Sequence, residues 1–180
     1  MGILALLNMV FFGGIFVSLV LLQLLVPPPL FGEWVPWAAK LFLGNWALMI
    51  VSIFGINLAL SAFTVVTLPG IVFFPLSVVA LAYRAFLWGL LLFGVPNWLF
   101  LAALPVVVLE GEAYVVAAGA GVIAGISWVK LRWGFGKEEM SRKEALKRGL
   151  REALRFYVVA SGLLFAASVI ETIIVLSMGH

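Results

Sequence analysis

The chain contains no cysteine and no aspartate, and its only histidine is His180, the last residue. The first absence excludes disulfides, thiolate metal sites, cysteine nucleophiles and lipid attachment through cysteine. The others exclude a Ser-His-Asp triad and an internal histidine-based metal site. Ser61, Ser127 and Ser161 therefore have no base beside them, and an intramembrane enzyme is not expected. Charge is scarce as well. Only 11% of the 180 residues are charged, against about 25% in an ordinary soluble domain. What replaces it is hydrophobic, at 65% of the chain. A chain this short cannot hide so much apolar surface from water. Lipid is its natural solvent.

Long apolar runs divide the sequence. Ile3 to Val26 is long enough to cross, since about 20 helical residues span ~30 Å of hydrocarbon. It lacks the basic leader of a signal peptide and reads as a retained helix. Pro27, Pro28 and Pro29 end it, and Leu30 to Lys40, with Glu33, Trp34 and Trp37, reads as an interfacial connection. Leu41 to Val66 is the second span, and Leu68-Pro69-Gly70 is a turn signal. The third span runs from about Ile71 to Gly94, with Pro75 in its first turn. Asn97 to Leu109 would reach only about 20 Å as a helix and carries Pro105, so it is expected to be a re-entrant half-helix. Ala113 to Val129 and Phe156 to Met178 complete the set. The expected fold is an all-α polytopic membrane bundle, one domain of about five spans plus the half-helix.

Of the 11 basic residues, all but Lys40 and Arg84 lie between Lys130 and Arg155. Short loops rich in Lys and Arg stay cytoplasmic. The loop from 130 to 155 and the N-terminus are thus expected inside the cell, and the C-terminus outside. Trp34, Trp37, Trp46 and Trp98 would then collect at the outer interface, and Trp128 and Trp133 at the inner one. Within the basic stretch, Ser141 and Glu144 form a capping box. Leu146, Leu150, Ala153 and Leu154 share one face of the helix that follows. Lys143, Lys147, Arg148, Arg151 and Arg155 take the rest, a pattern suited to anionic lipid or to a docking partner. No aromatic stacking set accompanies the charge, so nucleic acid is not an expected partner.

Polar groups at membrane depth are costly, by about 2.5–3.5 kcal/mol for an ionised side chain on insertion scales. Arg84, Glu110, Glu112 and Glu171 form the expected intramembrane cluster, with Asn45 and Asn57 as amides seeking partners across helices. Arg84 and Glu171 lie at similar depth and are expected to reach each other. Such a cluster is either structural glue or a coupling and conduction site. Ala117, Gly121 and Gly125 put a small-residue face on the fourth span, for packing within the bundle or between protomers of a homo-oligomer. No cofactor or metal is expected.

Leu104-Pro105-Val106-Val107-Val108-Leu109-Glu110, followed by an Ala/Gly-rich span, resembles the L-P-H-G-x-x-E signature of the stage II sporulation protein M family. Asn45, Gly55 and Gly89 fit the same pattern, and Ser168-Val169-Ile170-Glu171-Thr172 resembles its late A-x-I-E segment. Val106 and Val107 stand where that family has His and Gly. The resemblance implies a multi-span membrane protein without known enzymatic activity. It would act with other membrane-anchored proteins, including peptidoglycan hydrolases. Two functions follow as expectations: a non-catalytic membrane scaffold, or an ion or small-solute transporter using the intramembrane Glu and Arg residues.

Overall fold

A computed structural model describes residues 2–26, 45–129 and 141–178. Five helices are long and apolar enough to cross a membrane, and no strand occurs among the described residues. They are α1 (Ile3–Leu25), α2 (Trp46–Val72), α3 (Pro75–Leu92), α4 (Asn97–Val129) and α5 (Arg142–Met178). Leu24, Leu25, Phe16, Val72 and Val158 are exposed on the outside of the bundle. Apolar exterior on every helix is what a hydrocarbon solvent requires. The molecule is an all-α bundle compatible with a multi-pass membrane protein.

The fourth element departs from expectation. Asn97 to Leu109 is not a separate half-helix; it is the first part of α4, which continues unbroken for 33 residues with Pro105 inside it. Pro105 removes one intrahelical bond, to the Leu101 carbonyl, and the apolar sequence on both sides keeps the rest. Glu110-Gly111-Glu112 is not a return either. Gly111 lies against α1, where an added Cβ would come within 2.6 Å of the Phe11 ring. The glycine is there for close approach of two helices.

The second boundary also moves. Leu68-Pro69-Gly70 is helical, and the break falls at Phe73 and Phe74, so α3 starts at Pro75 and not at Ile71. Within α2, Asn57–Thr67 is wound as a π-helix. The Thr64 hydroxyl donates to the Ala59 carbonyl, five residues back, at 2.8 Å. A π stretch of this kind is rare and tends to mark functional sites. Gly94 leaves α3 at φ 82°, a left-handed conformation that glycine adopts without strain. Lys40, Trp34, Trp37, Trp133 and the polyproline lie outside the described residues.

Side-chain pairs show how the helices run. Gly14 meets Ala85 and Gly89 meets Ser18, so α1 and α3 are parallel. Asn57 meets Glu110 and Thr67 meets Ala117, so α2 and α4 are parallel. Gly149 meets Ser127 and Gly119 meets Phe156, so α5 runs against α4. Gly111 meets Phe11 and Gly119 meets Leu4, so α4 runs against α1, and direction alternates along the chain as five crossings of one slab would require. The starts of α1, α3 and α5 therefore share one face of the bundle with the ends of α2 and α4. Trp46 and Trp98, both exposed, share the opposite face, as expected.

α4 packs against all four other helices. Its Ala113–Ser127 stretch is buried almost throughout, which explains an all-round apolar composition. The small-residue face of Ala117, Gly121 and Gly125 packs within the chain and is not free for a second protomer. A Cβ on Gly121 would stand 2.1 Å from Ser77 Oγ, and one on Gly125 2.1 Å from the Gly70 carbonyl oxygen. Thr67 Oγ1 donates to the Ala117 carbonyl at 2.8 Å, and the Tyr157 hydroxyl donates to Thr67 Oγ1 at 2.5 Å. Three helices are stitched there by one threonine.

Candidate functional site

Four helices converge on Glu110. Its carboxylate is buried, 3% exposed, near the middle of α4. Asn57 Nδ2, at the start of the π-helical stretch, donates to Glu110 Oε1 at 2.7 Å. The Tyr114 hydroxyl lies one turn along α4, 3.1 Å from both Glu110 Oε2 and Asn57 Oδ1. A phenol has a single proton, so it donates to one of these oxygens at a time. Arg84 Nη2, from α3, donates to the Tyr114 oxygen at 2.8 Å. The guanidinium also lies 4.7 Å from the centroid of the Tyr114 ring, a cation–π contact. The charge of Arg84 thus reaches Glu110 through a phenol.

The expected Arg84–Glu171 pair does not form. Arg84 is turned toward Tyr114, and among the described residues it makes no direct ion pair with either carboxylate. Glu171, half-buried on α5, has no hydrogen-bond or ion-pair partner among the described residues. Both residues nonetheless face one pocket of about 270 Å³. Asn57, Trp88 and Glu110 line it with them, and Ile53, Ile56, Leu87 and Leu91 supply aliphatic wall. Ile56 and Leu91 are exposed on the bundle's surface, so the pocket reaches the outside. From the Glu110 network it extends toward the ends of α3 and α5, away from the basic start of α5.

Two donors here have no acceptor. Arg84 Nε and Trp88 Nε1 are buried without a hydrogen-bond partner among the described residues. They sit one helical turn apart on α3. A buried N–H left without an acceptor costs roughly 1–3 kcal/mol, and groups of this kind call for an explanation.

Two expected cluster members lie elsewhere. Asn45 caps α2: its side chain accepts from the Leu48 N–H at 3.0 Å, and it is exposed. Glu112 points away from Glu110, since two helical residues differ by about 200° around the axis. It accepts from Asn8 of α1 at 3.5 Å.

The chain matches no family model, no curated protein and no solved structure.

The site must therefore be read on its own chemistry. Sequence reasoning named Arg84, Asn57, Glu110 and Glu171, and the pocket contains all four. It missed Tyr114 and Trp88. Helical spacing was the available signal: Tyr114 is four residues from Glu110, and Trp88 four from Arg84, so each shares a face with a costly charge. Among the described residues no three carboxylate or imidazole groups come together to hold a metal ion.

The basic start of α5 forms a second region. Ser141 and Glu144 complete the capping box: the Ser141 N–H donates to the Glu144 carboxylate at 2.9 Å, and the Glu144 N–H to Ser141 Oγ at 3.3 Å. Lys147, Arg148, Arg151 and Arg155 line a shallow exposed surface with Glu144 and Glu152. Arg155 is paired with Glu152 at 2.8 Å.

Proposed function

We propose that the chain carries an ion or small solute across a membrane, with the Glu110–Glu171 pocket as its site. The observation behind this reading is an open pocket among the apolar helices, lined from α2, α3, α4 and α5. Glu110 and Glu171 line it, the latter without a partner among the described residues, as do Arg84 and Trp88, each with a buried N–H that has no acceptor among them. Structural glue would bring its charges into contact and close the space between them. Here Arg84 and Glu171 share a pocket but do not pair. The π-helical winding beside the site, at Asn57–Thr67, is rare and tends to mark functional sites. The positive-inside rule places the basic segment, and with it the N-terminus, in the cytoplasm. The pocket then opens on the outer half of the bundle.

The test is proton and cation flux in proteoliposomes, with wild type beside Glu110→Gln and Glu171→Gln. The expected outcome is flux above empty vesicles that falls at least about tenfold in either variant, the scale of one lost charged contact. Wild-type flux indistinguishable from empty vesicles would sink ion conduction.

A second reading is an assembly role with membrane-protein partners, which the resemblance to the stage II sporulation protein M family implies. The exposed basic surface of Lys147, Arg151 and Arg155 supports it. It also suits anionic lipid headgroups. Cross-linking in native membranes that recovered only lipid would count against a protein partner.

A further inference from the structure

The polar groups of the pocket divide by helix and by chemistry. On α3, Arg84 Nε and Trp88 Nε1 are buried donors without an acceptor among the described residues. On α5, Glu171 is a carboxylate without a partner among the described residues, and α4 contributes Glu110 behind it. Arg84 directs its Nη2 to Tyr114, and through that phenol it is tied to Glu110. That leaves Glu171 as the carboxyl group of the pocket without a hydrogen-bond partner among the described residues.

A lone cation would satisfy Glu171 but leave both N–H groups without an acceptor. A lone anion would satisfy those donors but leave Glu171 without a partner. A solute with an acceptor at one end and a cation at the other answers both demands. Ile53, Ile56, Leu87 and Leu91 cover the space around them. Such a wall suits a hydrocarbon body, which a hydrated ion does not have. About 270 Å³ admits only a small molecule.

We infer that the pocket binds a small zwitterion of the aliphatic α-amino acid class. Its carboxylate is held by the Arg84 and Trp88 side chains, and its ammonium lies against Glu171. This rests on the reading of the pocket as a solute site, and the test below separates it from the transport claim.

The experiment is calorimetric titration of the whole chain in detergent micelles. The probes are L-alanine and L-leucine, then isoamylamine and 4-methylpentanoate, which are leucine without its carboxylate and without its amine. Sodium chloride is the last probe. At least one amino acid is expected to bind saturably, and leucine's single-ended relatives to bind at least about tenfold more weakly than the better amino acid. Glu171→Gln and Trp88→Phe should each weaken amino-acid binding by about tenfold. Trp98→Phe, at an exposed tryptophan outside the pocket, should leave it unchanged. The inference is overturned if neither amino acid binds, if either single-ended relative binds as tightly as the better amino acid, or if sodium alone reproduces the heat. The wild-type comparison of two-ended and single-ended probes decides even if a variant fails to fold. Glutamate-dependent cation flux without amino-acid binding would remove this inference and keep the transport reading. Binding without uptake into vesicles would do the reverse.

Discussion

Glu110 takes donors from two other groups, and that sharing sets what its removal would do. Replacing it by alanine strands the Asn57 amide and leaves the Tyr114 hydroxyl without one of its two acceptors. Glu110→Ala is expected to lower stability by about 2–3 kcal/mol, the cost of orphaned buried polar groups. Glu110→Gln retains an amide oxygen to accept from Asn57 and should cost about 1 kcal/mol or less. Unfolding by SDS titration in mixed micelles measures both. Equal losses in the two variants would contradict the shared-donor geometry. A large flux loss with a small stability loss in Glu110→Gln would separate the working carboxylate from the merely structural one. Tyr114 belongs to this scale too. Composition gave no reason to single it out, because an aromatic in a membrane span is ordinary, and its role comes from the Arg84 side chain arriving from another helix.

The helices were largely visible in the sequence because length and hydropathy alone decide whether a segment can cross hydrocarbon. α1 falls close to its expected bounds, α3 ends near its own, and the Ser141–Glu144 box starts α5 where the motif says it should. What misled was punctuation. Pro105, Pro69 and Gly111 read as breaks, yet each sits inside a helix. A single proline costs one backbone bond, and a glycine costs about 1 kcal/mol of propensity. Packing on several sides of α4 outweighs both. The glycines then divide into two kinds. Gly121→Ala is expected to destabilise by about 1–3 kcal/mol, since its Cβ would meet Ser77 Oγ and the Thr67 backbone. Gly55→Ala meets nothing within 4 Å and should be neutral or stabilising by up to about 1 kcal/mol. SDS unfolding midpoints of the two variants should therefore move in opposite directions, or only the first should move. Ser141→Ala should cost about 1 kcal/mol through loss of the cap at the start of α5.

The whole bundle makes a prediction that the cysteine-free sequence renders easy to read. Alternating helix directions put residue 2 and Ser141 at one face, and Asn97 and Ser177 at the other. Single cysteines at Gly2 and Ser141 are expected to resist a membrane-impermeant maleimide in intact cells. Single cysteines at Asn97 and Ser177 are expected to react. Labelling of all four, or of one from each pair, would break the five-crossing arrangement. The reverse pattern would keep the bundle but turn it over, against the positive-inside rule.

Composition and run length were enough to show an all-α chain apolar enough for lipid, with about five helices long enough to cross it and a few polar residues costly at that depth. Each of these follows from one-dimensional quantities: hydropathy, run length and the position of charge. Which costly residues meet was decided only by the tertiary structure. Asn45 became a helix cap, Glu112 turned to α1, and Arg84 chose a tyrosine over Glu171. The small-residue face of α4 was equally open to a second protomer until Thr67, Gly70 and Ser77 were seen to fill it. Depth along a helix can be counted from sequence. Azimuth around it, and the neighbour it faces, arise from packing between segments far apart in the chain.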